Sequence, residues 1–83
     1  LSAYPNPFFD VVTIEFSSMR PGATVLTLMD SKGVQVETAE VSATVANERH
    51  KVTMGSPGMS PGVYVVRLAD QRYVRYLRLT VMR

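Results

Sequence analysis

Turn-forming residues punctuate this chain at short intervals, and that spacing constrains the fold more than any other feature. They fall at PNP (5–7), RPG (20–22), DSKG (30–33), GSPGMSPG (55–62) and ADQR (69–72). Glycine and proline are poor in the interiors of helices and strands alike, so each cluster closes one element and opens the next. The runs between them are β-leaning, with Val, Thr, Tyr and Phe prominent, as strands require.

Periodicity supports strands. In VVTIEF, Val12, Ile14 and Phe16 share one face and Val11, Thr13 and Glu15 the other, the pattern of a half-buried strand. ATVLTLMD sets Leu26 and Leu28 against Val25, Thr27 and Met29, so even its outward face is only weakly polar. In VQVETAEV, Val34 and Val36 are expected to share a face opposite Gln35 and Glu37, after which the register blurs at Ala39 and Val41. SATVANERH (42–50) fits a short strand, a loop or a brief helix, and a helix stays open between Ala39 and Val52. GVYVVRLA and RYVRYLRLTVMR read as two strands joined at ADQR; in the second, Leu77, Leu79 and Val81 alternate with Arg78, Thr80 and Met82. About seven short strands without a helical stripe predict an all-β antiparallel sandwich, with an antiparallel barrel as the alternative.

The pentapeptide YPNPF then has a role. Each proline fixes φ, removes an amide donor and biases its predecessor, Tyr4 or Asn6, towards extended backbone. Such a segment suits the edge of a sheet and not its middle. Residues 1–9 are therefore expected to be a stiff proline-rich lead-in that drops Tyr4 and Phe8 against the end of the sandwich, with Asn6 bonding the local backbone. In DSKG, Asp30 is placed to accept local amide bonds and Gly33 to take positive φ. The SPG units are turn formers, and Gly62 is expected to let the next strand begin close to neighbouring backbone.

Composition narrows the function. Eighty-three residues, 46% of them hydrophobic, form at most one domain with a single thin core. There is no cysteine and only one histidine, so neither a disulfide framework nor a zinc site is expected, and no cofactor is implied. His50, between Arg49 and Lys51, reads as a surface or strand-edge residue, and no GxSxG elbow or phosphate loop is present, so the chain is not expected to be an enzyme. No apolar run is long enough to span a membrane and no signal peptide is visible; starting without an initiator methionine, the chain reads as part of something longer. The net charge of +2 is uneven, for Arg67 to Arg83 holds five arginines and one acid, Asp70. Tyr73, Arg75, Tyr76 and Arg78 interleave as stacking surfaces do, yet strict alternation divides them between two faces, so nucleic acid is not an expected partner. Arginines there protect a strand edge.

YPNPF near the start, VLTLMDSKG with its Asp-x-x-Gly turn, SPGVYVVRL, and the basic β-rich end RLTVMR together resemble the C-terminal sorting domains of proteins exported by the type IX secretion system of Bacteroidetes. The resemblance covers nearly the whole chain and implies an immunoglobulin-like β-sandwich at the end of a larger cargo protein. It implies a non-catalytic signal whose partners are the type IX translocon, a sortase-like peptidase that removes the domain, and an N-terminal cargo domain. The destination implied is the outer-membrane surface or the medium, reached through the periplasm. The family's Pro-Asn-Pro corresponds to Pro5, Asn6 and Pro7, its turn to Asp30 and Gly33, and its Gly-x-Tyr to Gly62 and Tyr64, followed by Arg67 and Leu68. Met29 stands where many members have an aromatic, and arginines stand where many end in lysines.

The translocon is expected to grip the last strand by strand pairing and by charge contacts, through Arg75, Arg78, Leu79, Val81 and Arg83. Related sandwiches that close extracellular enzymes, or belong to the flagellar hook-capping protein, share these marks as structural or assembly modules. A chain ending directly after its final strand is the feature expected to favour sorting. Neither the cargo nor an oligomeric state is legible.

Overall fold

Among the described residues seven strands form: β1 (Ser2–Tyr4), β2 (Val12–Ser18), β3 (Gly22–Asp30), β4 (Gln35–Ala43), β5 (Glu48–Met54), β6 (Gly62–Ala69) and β7 (Val74–Val81). The structure is a computed structural model that describes residues 1–18, 20–55 and 58–82. A three-stranded sheet, β1-β2-β5, lies against a four-stranded one, β4-β3-β6-β7, and every neighbouring pair is antiparallel. The arrangement is all-β and is that of a β-sandwich.

The core lies between the sheets and is filled by the alternating positions. Val12, Ile14 and Phe16 of β2 face Leu26 and Leu28 of β3, Val66 and Leu68 of β6, and Leu79 and Val81 of β7, all essentially buried. Each such side chain contributes about 1.5–3 kcal/mol by leaving water, against the entropy of ordering a chain this short. The DSKG turn forms as its residues require: Asp30 Oδ1 accepts from the Lys32 and Val34 amides at 2.9 and 3.0 Å, and Gly33, at φ 84°, donates to the Asp30 carbonyl.

β4 departs from the sequence expectation. The β3–β4 register passes from Leu28↔Glu37 to Met29↔Gln35, leaving Val36 as an extra residue in a bulge. The bulge exchanges the faces, so Val34 and Val36 are exposed while Glu37, Ala39, Val41 and Ala43 turn inward. Glu37 uses that direction to accept the Gly55 amide at 2.8 Å. Residues 42–50 hold no helix: β4 ends at Ala43, a turn with Asn47 at φ 61° follows, and β5 begins at Glu48.

The lead-in switches sheets. β1 pairs with β2, Ala3 opposite Ile14, and after two cis X-Pro bonds the chain arrives at Phe8 beside β7 of the other sheet. Phe8 donates to the Thr80 carbonyl at 2.9 Å and accepts from the Met82 amide at 2.8 Å, a parallel bridge opposite Val81. Its ring is fully buried, as expected. Tyr4 is not: its side chain lies outside, the hydroxyl donating to Glu15 Oε2 at 2.8 Å, because alternation in β1 points Ala3 inward.

Candidate functional site

β7 is an edge strand, and its free side is divided into two halves. In an extended strand the N–H and C=O of one residue point the same way and the direction alternates along the chain. Thr80 and Met82 bond Phe8, and Asn6 bonds the same side of the strand, its Nδ2 donating to the Arg78 carbonyl at 3.3 Å and its Oδ1 accepting the Thr80 amide at 3.1 Å. Even-numbered residues therefore face away from β6. Their lower half, from the Arg78 carbonyl to Met82, is sealed by the proline segment. The upper half, Val74 and Tyr76 with the Arg78 amide, faces outward beside side chains that are 47% exposed for Val74 and 61% for Tyr76.

The expected recognition residues separate on this strand. Arg78 is exposed, whereas Arg75 turns towards the other sheet and donates from Nη2 to the Ser17 carbonyl at 3.3 Å. Leu79 and Val81 belong to the core, so in the folded chain they support the strand and touch no outside partner. Arg83, like Ser56 and Pro57 of the first SPG unit, lies outside the described residues.

The motif residues sit in turns, in the crossing between the sheets and at the start of β6. Pro5, Asn6 and Pro7 make the crossing between sheets, and Asp30 with Gly33 makes the β3–β4 turn. Asn6 bonds a strand far along the chain, not its own neighbourhood as the sequence suggested, because the crossing carries it onto β7. Tyr64 is buried and its hydroxyl donates to the Ser60 carbonyl at 2.7 Å, pinning the approach to β6. Gly62 is not crowded: a Cβ there would meet nothing within 4 Å. The glycine set against foreign backbone is Gly55, where a Cβ would collide with the Asp10 carbonyl. No local signal in the sequence distinguishes it.

Two clefts lie at opposite ends of the sandwich. One, of about 150 Å³, is lined by Arg20, Gly22, Asp70, Arg72 and Tyr73; the other, of about 230 Å³, by Asp30, Lys32, Ser60 and Tyr64. In the first, amides of Tyr73 and Arg72 donate to Asp70 and hold its carboxyl below the usual aspartate range, helped by Arg75 and Arg20. His50 is on an edge strand, as expected, but its side chain turns inward, the ring 5.3 Å from that of Phe16. Its Nε2 is 3.2 Å from Glu48 Oε2, an approach too oblique for a hydrogen bond. The Thr44 amide and hydroxyl hold the Glu48 carboxyl below its usual range. Among the described residues no group of His, Cys, Asp and Glu is placed to hold a metal ion, and no helix is long and apolar enough to cross a membrane.

Two sheets around one core, with a basic edge strand half sealed by a proline segment, make a β-sandwich whose most distinctive surface is a strand. Residues 2–81 match the model of the secretion system C-terminal sorting domain family, and the chain belongs to that family. Its role is accordingly that of a secretion signal, and its setting is secreted or cell-surface. No curated protein and no solved structure matches the chain.

Proposed function

We propose that this domain is a non-catalytic signal that directs an attached cargo through the outer membrane by the type IX secretion system and is afterwards removed by a sortase-like peptidase. The observation that carries this reading is a family match running from β1 to the end of β7, so that the match includes the basic edge strand. The translocon recognises β7, Arg78 supplying charge and Leu79 and Val81 holding the strand in place from the core. The bound cargo lies upstream of Leu1, at the end of the sandwich opposite Met82, since β1 and β7 both run away from it. No bond is made or broken by the domain itself.

The fold is immunoglobulin-like. Support comes from the strand order, from a first strand that leaves one sheet to run parallel to the last strand of the other, and from a buried Tyr64 that bonds backbone four residues upstream near the start of β6, as a tyrosine corner does.

The test is export of a reporter ending in Leu1 to Arg83, compared between a Bacteroidetes strain with an intact type IX system and one lacking its translocon. Release by the first and periplasmic retention by the second is expected. Retention in both, with the domain folded, overturns the proposal in favour of a structural or assembly module.

A further inference from the structure

The edges of the two sheets are not protected alike. β1 is three residues long, and β4 is broken by the bulge at Val36, both devices that discourage pairing with another chain. β5 shows Arg49, Lys51 and Thr53 outward. On β7, Phe8 and Asn6 occupy the polar groups from the Arg78 carbonyl to Met82. What is left is the stretch from Val74 to Arg78, whose outward-facing side chains include exposed Val74 and Tyr76. At about 3.4 Å per residue it offers roughly 17 Å of ladder, enough for a strand of ordinary length.

Charge selects the occupant. Arg72 and Arg78 flank this stretch, and Arg67 lies beside Tyr76 as its cross-strand partner on β6. The nearby acid, Asp70, is held in its own turn by the Arg72 and Tyr73 amides. A second copy of the chain fits poorly. An antiparallel β7–β7 pair centred on Tyr76 would set Arg78 of each copy opposite Val74 of the other and bring two basic strands together with no carboxylate in either to meet them. An incoming segment with carboxylates among its apolar residues meets both the amides and the arginines.

We propose that the free edge from Val74 to Arg78 receives an extended, acidic segment of the export machinery by β-strand addition, the four-stranded sheet gaining a fifth strand outside β7. The inference rests on the reading of β7 as the recognised strand. It narrows the grip to the upper half of that strand, with Tyr76 and Arg78 as the side chains that read the partner.

Strand parity supplies the test. The Tyr76 amide points away from β6, so Tyr76→Pro removes a donor from the free edge and none from the β6–β7 ladder, and proline is tolerated at an edge. The expected result is a folded variant, by thermal unfolding, whose reporter is exported about tenfold less well, the loss of a backbone bond and its neighbours. A photo-crosslinker at position 76 is expected to capture an acid-rich segment of another protein. Should Tyr76→Pro fail to fold, the double variant Tyr76→Glu, Arg78→Glu keeps every backbone group and inverts the charge, and the same loss is expected.

Wild-type export by any of these folded variants overturns the inference while leaving the broader reading intact. A crosslink to a second copy of the domain overturns it too. Export of the unaltered reporter without the translocon would instead overturn the broader reading, and the two failures are thereby distinguished.

Discussion

Asn6 and Thr80 meet across 74 positions of sequence, the Thr80 amide donating to Asn6 Oδ1 at 3.1 Å while Asn6 Nδ2 donates to the Arg78 carbonyl. One side chain thus presents an acceptor and a donor to β7 as the backbone of a neighbouring strand would. Asn6→Ala should lower stability by about 1 kcal/mol, the usual net worth of such bonds where water can compete. Asn6→Asp keeps the acceptor but turns a carboxylate oxygen against the Arg78 carbonyl, acceptor facing acceptor, and should cost at least as much. Urea unfolding of the three proteins checks the order, and an Ala variant as stable as the parent would show that the bracket adds nothing.

Leu79 and Arg78 are adjacent yet answer to different constraints. Leu79 is fully buried, so Leu79→Ala should cost about 2–5 kcal/mol, comparable with the whole stability of a domain this small, and Leu79→Asp should unfold it. Arg78→Glu, on the exposed side, should stay within about 0.5 kcal/mol of the parent while reducing reporter export. Similar melting curves for Leu79→Asp and Arg78→Glu would contradict the alternation along β7.

Gly55 lies against the Asp10 backbone at φ 110° and donates its amide to Glu37. A methyl group there meets backbone that cannot swing aside. Gly55→Ala is therefore expected to cost about 1–3 kcal/mol, read from the shift in the urea midpoint.

Acid should weaken the turn before β7. The amides of Tyr73 and Arg72 favour the charged form of Asp70 and lower its pKa from the usual 3.8. A carboxyl whose folded value is depressed adds stability that is fully present above the unfolded value and disappears as pH falls through the folded one. The advantage of the parent over Asp70→Ala should therefore be constant near neutrality and shrink below about pH 4. Glu48, lowered by Thr44, acts in the same direction. Unfolding midpoints measured from pH 7 to pH 2 test this, and a difference independent of pH would refute it.

The bulge gives a further contrast. Val36→Asp should be nearly neutral because that side chain is exposed, whereas Val41→Asp places a charge against the core and should cost about 2 kcal/mol or more. Thermal unfolding of the two variants would reveal a wrong face assignment at once.

That pair also shows where the sequence stops being legible. β2, β3 and β7 could be read because their buried residues repeat with period two, and Phe8 because prolines leave little else for an aromatic at that place to do. Periodicity sets Val34 and Val36 on one face opposite Gln35 and Glu37, since a period carries no mark of an inserted residue; only the pairing with Leu28 and Met29 reveals it. The run from 42 to 50 was ambiguous because Asn47 at positive φ and the Thr44–Glu48 contacts are turn features without periodicity. The candidate site was legible in kind, as a basic last strand, but not in detail. Which side of β7 is sealed depends on Asn6 and Phe8, and no local pattern announces a contact with the other end of the chain.

That contact makes the order of synthesis matter. β7 leaves the ribosome after the other six strands, and the crossing made by residues 5–8 has no partner until it does. A chain interrupted anywhere before Val74 keeps Pro5, Asn6 and Pro7 but cannot close the second sheet around Phe8. The finished sandwich is therefore presented only by polypeptides in which every residue upstream of β7 has already been made.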